Sequence, residues 1–427
     1  MAAPEQRKKV ERYRWLVWGI LALMYTFVAF HKMAAGVVRP ALENSFGIGA
    51  SEFAMISSMY FYAYFIMQIP SGVFADTLGP KKTVTYFSIL AALGSMLFGF
   101  SPNLYLAYAG RFMVGVGVSV VFVCIIKIQS RWFYAKQLAF MMGMVGLTAN
   151  LGALLAQTPL LIVSQRIGWR ATFIGMGVIM LVFAILTWIF VKNDPSEMDL
   201  PSMEELEGRP APSPAAKRIT IGKALKSVLS NPKTWVLSLA FVGLYTGYVI
   251  LLGTFGGAFL SVKYGYSQET ASNLIIASVV GSTVGGLVIG SFSDKLKKRK
   301  IVLILTEVAT LVLWLMYLYV NIPNVIAMGA LLFVLGFIMT GFTLTWTMSN
   351  ESNDRGLPGI ATGVVNCVGF AGTAIIPVLM GNRLDALGNN LEGYLNAFFI
   401  FIAVMIISTA ASFFTTETNA ENIYKSK

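Results

Sequence analysis

A short loop between two apolar segments decides how this chain is interpreted. It reads Gly72-Val-Phe-Ala-Asp76-Thr-Leu-Gly79-Pro80-Lys81-Lys82. A shorter form returns in the second half of the chain as Gly290-Ser-Phe-Ser-Asp294, followed by a basic run. Glycine permits tight turns and close helix approach, and an acid at a helix end can pair with basic neighbours. Either copy alone could be a solvated loop. Two copies instead indicate a latch that can hold one end of the protein closed, which we call the gate. Its residues are Gly72, Asp76, Gly79, Lys81 and Asp294.

The segments around this loop are too apolar for a soluble protein. Of 427 residues, 56% are hydrophobic and 12% are charged, whereas soluble domains carry about 25% charged residues. A membrane-spanning helix needs about 20 mostly apolar residues. Twelve segments meet that need, namely 15–38, 53–75, 83–101, 104–130, 137–163, 169–191, 233–260, 270–292, 301–320, 324–349, 357–381 and 394–414.

The longest polar stretch divides these spans into six and six. We therefore predict an N-terminal half at 1–192, a cytoplasmic linker at 193–232 that is rich in proline and charge, and a C-terminal half at 233–427. Asn150 and Asn366 occupy matching Gly-rich positions in spans 5 and 11. Two parallel six-helix repeats are a known transporter plan. The predicted fold is an all-α membrane protein with two pseudo-symmetric halves.

The basic residues predict the orientation. Most of the 32 Lys and Arg residues fall in the segments that lie inside if the N-terminus is cytoplasmic. The loops on the other side hold few, namely Arg39, Arg166, Arg170, Lys263 and Arg383. By the positive-inside rule, both termini are cytoplasmic and the chain is a multi-pass protein of the inner membrane. The same rule accounts for the net charge of +12 without a nucleic-acid partner.

The residue inventory excludes most other functions. His31 is the single histidine, and Cys124 and Cys367 lie far apart in apolar runs, so neither a metal site nor a disulfide framework is expected. The sequence has no Walker loop, dinucleotide fingerprint or nucleophile elbow. We expect a monomer in the lipid bilayer with no cofactor and no enzymatic activity.

The loop at Gly72 resembles the signature of the major facilitator superfamily, Gly-x-x-x-Asp-x-x-Gly-Arg-Arg/Lys, with Pro80 in place of an arginine. Arg111-x-x-x-Gly115-x-Gly117 is similar to the family's span-4 motif. The resemblance extends over essentially the whole chain and implies the twelve-helix major facilitator fold. It also implies a role for Arg111 in proton-coupled transport, unless Arg111 only ties helices together. Span 5 lacks the Gly-Pro pair typical of proton-driven drug antiporters.

Two lysines suggest the substrate. Lys32 in span 1 and Lys127 in span 4 match positions that are basic in the anion:cation symporters and the organophosphate:phosphate antiporters, where arginines hold carboxylate or phosphate. Lysine offers a single compact ammonium charge, whereas the guanidinium of arginine can bind two oxygens of a carboxylate or phosphate at once. Acids are nearly missing from the spans, so these cations favour an anionic ligand. Alternatively, either lysine, and Lys127 in particular, snorkels to the membrane interface.

Uncharged polar residues could complete a pocket. They are Tyr60, Tyr64, Gln68, Tyr245, Tyr248, Thr343, Trp346 and Asn366. We select Tyr64, Tyr248 and Asn366 as substrate-binding residues, although such side chains also serve as contacts between helices.

Proton coupling requires a group that titrates near neutral pH. Histidine does so without perturbation, and His31 adjoins Lys32. We select His31, Arg111 and Glu307, the main acid inside a span, as proton-coupling candidates. The alternative for His31 is a neutral ring hydrogen-bonded between helices.

The sequence therefore predicts a secondary transporter that moves a small organic anion, with a carboxylate favoured, by alternating access and in symport with protons. Three alternatives stay open. They are an organophosphate/phosphate exchanger, a proton-driven drug exporter and a receptor-like membrane protein without transport.

Overall fold

The computed structural model describes residues 4–207 and 221–424, and these residues form helices and loops without a strand. In chain order the helices are α1 (Pro4–Val37), α2 (Arg39–Phe46), α3 (Ala50–Thr77), α4 (Pro80–Phe100), α5 (Leu104–Ser119), α6 (Val121–Trp132), α7 (Leu138–Leu155), α8 (Thr158–Ile167), α9 (Trp169–Phe190), α10 (Met203–Leu206), α11 (Ile221–Leu229), α12 (Pro232–Gly253), α13 (Gly256–Tyr264), α14 (Gln268–Leu296), α15 (Arg299–Tyr319), α16 (Val325–Met339), α17 (Phe342–Ser352), α18 (Pro358–Leu387) and α19 (Leu391–Phe413). Two 3-10 turns lie at Ala135–Gln137 and Pro195–Met198.

Each predicted span coincides with one helix or with two consecutive helices. Among the described residues, ten helical segments are long and apolar enough to cross a membrane, with α5–α6 and α16–α17 each counted as one. Helices α7 and α8, bent by 42° at their junction, make an eleventh if they form a single span. Helix α3 is 28 residues long but more polar, with Ser57, Ser58 and Gln68 in its middle.

The breaks within spans have local causes. Pro159 lies in the first turn of α8, where the missing N–H is tolerated, whereas inside a helix it would remove a hydrogen bond. At the junction of α16 and α17, a Cβ on Gly341 would lie 2.3 Å from Thr306 Oγ1. The chain therefore packs against α15 at a point where only glycine fits.

Glycines also set the distances between neighbouring helices. A Cβ on Gly281 of α14 would lie 2.0 Å from the Phe333 carbonyl oxygen of α16, and one on Gly336 would lie equally close to the Ser278 carbonyl oxygen. In a bilayer, helices associate through close packing rather than through the hydrophobic effect. These glycines therefore let the backbones of α14 and α16 touch.

The bundle has two ends with different chemistry. We call the end that carries Lys81, Arg131 and Arg299 the basic end, and the opposite end, which carries Arg39 and Asp385, the far end. Helix α1 runs from the basic end to the far end, and α12 runs in the same direction. Residues 4–192 and 233–424 are called the N-terminal and C-terminal halves.

Candidate functional site

A cavity of about 430 Å³ lies between the two halves. Helices α1, α3, α6 and α7 line one side, and α12, α14, α17 and α18 line the other. Four of the residues selected from the sequence line this cavity, namely Lys32, Tyr64, Tyr248 and Asn366. Large clefts with a few convergent polar groups are the usual form of small-molecule sites.

Lys32 is held in a cage of aromatic rings. Its Nζ donates a hydrogen bond to the Tyr245 hydroxyl at 3.0 Å. Nζ also lies 5.4 Å from the ring centroid of Tyr64 and 5.7 Å from those of Tyr245 and Phe370. The electron-rich ring faces attract the ammonium group. Among the described side chains no carboxylate forms an ion pair with Lys32, so its charge is free to meet an anion.

Two members of this cage were not among the residues selected for substrate binding. Tyr245 was named from the sequence as a possible pocket residue, and it lies three residues before Tyr248 on the same helix face. Phe370 had no signal in the sequence, because an apolar ring in an apolar helix has no distinguishing pattern. It reaches Lys32 because α18 crosses α3, where the ring of Phe370 lies 4.9 Å from the ring of Tyr64.

Other lining groups can hydrogen-bond a ligand. Ser282 Oγ of α14 lies 3.3 Å from Asn150 Oδ1 of α7. Trp346 Nε1 and Asn366 Oδ1 are buried without a hydrogen-bond partner among the described atoms. A buried donor and a buried acceptor without partners are costly, and a bound ligand would satisfy both.

Lys127 lies outside this cavity. Its Nζ forms an ion pair with Asp76 Oδ1 at 2.7 Å and donates to the Ala75 carbonyl oxygen at 2.7 Å. The pair lies at the basic end, and 27% of the Lys127 side chain is exposed. The structure does not bring Lys127 to Lys32, and instead places it at the predicted gate.

Arg111 and His31 lie behind the cavity wall. Arg111 is fully buried, and its Nη2 donates to the His31 carbonyl oxygen at 3.0 Å. The rings of Tyr60 and Phe98 lie 5.4 and 5.8 Å from its guanidinium carbon. His31 is also fully buried, 6.1 Å from the Phe173 ring of α9. Both ring nitrogens of His31 lack a partner among the described atoms.

Glu307 is buried inside the C-terminal half, away from the lining of the cavity. Ser408 Oγ lies 3.1 Å from Glu307 Oε1 and 2.8 Å from the Ala240 carbonyl oxygen. A hydroxyl has one proton to donate, so Ser408 cannot donate to both oxygens. If Glu307 carries a proton and donates it to Ser408, both contacts are hydrogen bonds.

The predicted gate has an acid–base pair in each half. Besides Asp76 with Lys127, Asp294 Oδ1 lies 2.5 Å from Arg299 Nη1. The φ of Gly79 is +78°, a conformation that favours glycine, and it sets the turn into α4. The first turn of α4 is anchored by the Lys81 N–H, which donates a hydrogen bond to Asn193 Oδ1 at 2.8 Å.

At the far end the two halves are in direct contact. A Cβ on Gly36 of α1 would lie 2.6 Å from the Gly253 carbonyl oxygen of α12. Gln157 Nε2 donates to the Leu252 carbonyl oxygen at 3.0 Å. The cavity lining of α1 ends at Met33, one turn before Gly36, so these contacts close the cavity toward the far end.

A bundle of membrane-length helices around a cavity shared by two halves defines a membrane transporter. A sequence profile of the Major Facilitator Superfamily matches residues 21–377. The chain therefore belongs to this family of secondary transporters and is not an enzyme.

Curated relatives are similar along much of their length. A protein named the probable sulfoacetate transporter SauU of Cupriavidus necator is 26% identical over 67% of this chain and 66% of its own length. One named the probable galactarate/D-glucarate transporter GarP of Escherichia coli is 25% identical over 90% of this chain and 91% of its own. The membrane sensor protein UhpC of Escherichia coli is 23% identical over 94% of this chain and 93% of its own.

Solved structures share the fold. A bacterial homologue of the human lysosomal transporter Spinster, in an inward-facing and unoccupied conformation, has a TM-score of 0.75 at 16% identity, covering 95% of this chain and 97% of that one. A D-xylose–proton symporter has a TM-score of 0.72 at 13% identity, covering 96% and 100%.

Proposed function

We propose that this chain transports a small organic anion, with a carboxylate favoured, in symport with protons across the inner membrane. The observation that carries the proposal is Lys32, a positive charge in an aromatic cage in the lining of the cavity, with no carboxylate among the described lining residues. Because charged side chains inside membrane spans are costly and rare, one without a partner of opposite charge usually marks a functional site. Two of the relatives named above carry the names of organic anions.

In this proposal α3 completes a set of twelve spans, and the positive-inside rule places the basic end and both termini in the cytoplasm. The cavity lies on the cytoplasmic side of the contacts between Gly36 and Gly253. That arrangement supports an inward-facing state, with the halves rocking about the cavity to expose it on either side.

Proton coupling is proposed through His31 or Glu307. His31 adjoins Lys32, so an arriving anion changes the electrostatic field at its ring. The hydrogen-bond arrangement at Ser408 favours a protonated Glu307, which identifies a second group able to carry a proton. Arg111 holds the backbone of His31 in place and supplies a fixed positive charge beside it.

Neutralising Lys32 should abolish anion binding without unfolding the protein. Removing one member of a buried charge pair weakens binding about 30-fold or more, so the purified Lys32→Met protein should lose the thermal stabilisation that organic acids give. Lys32→Arg retains the charge and should retain part of the effect. Arg166→Gln, which removes an exposed positive charge remote from the cavity, is the matched control.

The ligand panel for this test should contain organic acids, phosphate esters and lipophilic cations. Stabilisation by phosphate esters alone would favour the organophosphate exchanger, and stabilisation by lipophilic cations alone would overturn the anion proposal. Because one relative is named a membrane sensor, uptake into proteoliposomes must accompany binding. A protein that binds an organic acid through Lys32 but does not transport it would be a receptor.

A further inference from the structure

The charges around the cavity limit the charge of its ligand. Of the lining residues that the structure describes, Lys32 alone is ionic, and the others are tyrosines, amides, hydroxyls and apolar groups. The cavity thus offers one formal positive charge. A ligand with one negative charge is neutralised there, whereas a dianion keeps one negative charge in a largely apolar cleft.

Three further cations, Lys127, Arg39 and Arg111, do not line the cavity. Lys127 is paired with Asp76 at the basic end. Arg39 is paired with Glu43 at 2.6 Å, beyond the far-end contacts. Arg111 donates to the backbone of α1 and α3 on the side of α1 that does not line the cavity. None of them is placed to neutralise a second negative charge beside Lys32.

The aromatic cage strengthens this discrimination. Ring faces carry partial negative charge and attract the ammonium group, so they stabilise Lys32 when no anion is bound. The same faces are unfavourable for a second anionic group, and the remaining polar groups are hydroxyls, amides and an indole N–H. Hydroxyls and amides can both donate to and accept from the hydroxyl or amide substituents of a ligand, whereas a carboxylate only accepts.

We infer that the cavity selects monoanions over dianions, so the substrate is an organic acid with one ionised group and an uncharged polar remainder. This inference rests on the proposed function and narrows it. It disfavours dicarboxylates and phosphate monoesters, which carry a second charge near neutral pH. It therefore separates this chain from the two relatives named for sulfoacetate and for galactarate/D-glucarate, since those anions carry two charges. Specificity of this kind arises from leaving the wrong ligand's charge unpaired.

The test is calorimetric titration of the purified protein at neutral pH with ligand pairs that differ in charge. Suitable pairs are glutaramate with glutarate, succinamate with succinate, and gluconate with glucarate. The monoanion of each pair should bind about tenfold or more tightly than the dianion, because the unpaired charge must be desolvated.

Equal or tighter binding of the dianions, abolished by Lys32→Met, would overturn the charge selectivity and leave the organic-anion proposal intact. Binding that Lys32→Met does not alter, or the binding of no carboxylate at all, would instead overturn the proposed function.

A second variant tests the cause of the selectivity. Gln68 lies one turn from Tyr64 on α3 and lines the cavity, so Gln68→Lys places a second ammonium group near Lys32. The preference should then shift toward the dianion by about tenfold, whereas the uncharged control Gln68→Met should give no shift toward the dianion, whatever its effect on the affinity for both ligands. A folded Gln68→Lys protein with the wild-type ratio would contradict the inference.

Discussion

Lys32 combines features that rarely occur together in a membrane protein. It is a cation on a central helix, its charge is met by ring faces rather than by an acid, and its ammonium group donates a hydrogen bond from α1 to Tyr245 of α12. That bond crosses from the N-terminal half to the C-terminal half. An anion that binds Lys32 therefore acts at a contact between the two parts that must move.

His31 has a different position from its neighbour although both lie on one helix turn. Adjacent helical residues point about 100° apart, since there are 3.6 residues per turn. Lys32 points into the cavity, and the His31 ring lies beside the ring of Phe173 on α9. A coupling role for His31 would therefore be exerted through the wall of the cavity and not by contact with substrate.

His31→Gln should abolish proton-driven accumulation and preserve exchange. The substitution removes the titratable group and keeps polar atoms in the same space. Uptake into proteoliposomes with an imposed pH gradient should fall to the rate seen without one, while counterflow continues. If the variant still accumulates substrate against its gradient, His31 does not couple protons, and Glu307→Gln becomes the variant to measure in the same assay.

At the scale of helices, α3 is capped by the other half of the molecule. Asp385 of α18 accepts the Ala50 N–H at 2.6 Å and the Ser51 N–H at 2.9 Å, and it also bonds the Ser51 hydroxyl. A carboxylate stabilises a helix N-terminus by pairing its free N–H groups and its positive end. A Cβ on Gly49 would lie 2.6 Å from Asp385 Oδ1, so glycine makes room for this contact.

Asp385→Ala should favour opening of the far end. Loss of a helix cap costs about 1 kcal/mol, which corresponds to about a fivefold change in the balance of states. The opening can be measured as the distance between spin labels at Tyr105 and Ile326, in a protein in which Cys124 and Cys367 have been replaced. Both label sites lie near the far end, one in each half, and are 81% and 83% exposed. The distance distribution should gain a longer component.

The matched control is Asp354→Ala, because Asp354 caps a turn at the basic end through the Gly356 N–H. An unchanged distance distribution in Asp385→Ala would show that the contact does not hold the far end closed.

For the whole molecule, the two ends of the bundle differ in how the halves meet. At the far end, α1 contacts α12 and α18 caps α3. At the basic end, Asp76 pairs with Lys127 within one half, and Arg299 pairs with Asp294 and Glu351 within the other. Ion pairs that stay within a half can move with it, so each half can rock as a unit.

Lys127→Met should slow transport and leave anion binding nearly intact. The pair with Asp76 is partly exposed, and such pairs contribute only about 0–1 kcal/mol to stability, so the variant should fold. Titration should give a dissociation constant within a few-fold of wild type, together with a lower transport rate. A loss of binding as complete as that of Lys32→Met would return Lys127 to the substrate site, as the sequence suggested.

Several features followed from the sequence because they are local along the chain. Hydropathy located the helices, because burial of about 20 consecutive apolar residues is a property of one segment. Proline and glycine marked their ends, as at Gly79 and Pro80. The loop motif identified the family, and Lys32 was recognisable because a charge inside an apolar helix is rare.

The tertiary structure alone decided what each polar group meets. For Lys127 the sequence allowed a position beside a ligand or at the membrane interface, and the structure pairs it with Asp76. Phe370, without any signal of its own, completes the cage around Lys32. Hydropathy leaves the rotation, tilt and crossing point of each helix undetermined, since lipid and the apolar core of the bundle are equally favourable surroundings for apolar side chains. Those three quantities arise from contacts between distant segments, such as glycine against backbone at α14 and α16, and they determine which charges lie in the cavity and which lie at the gate.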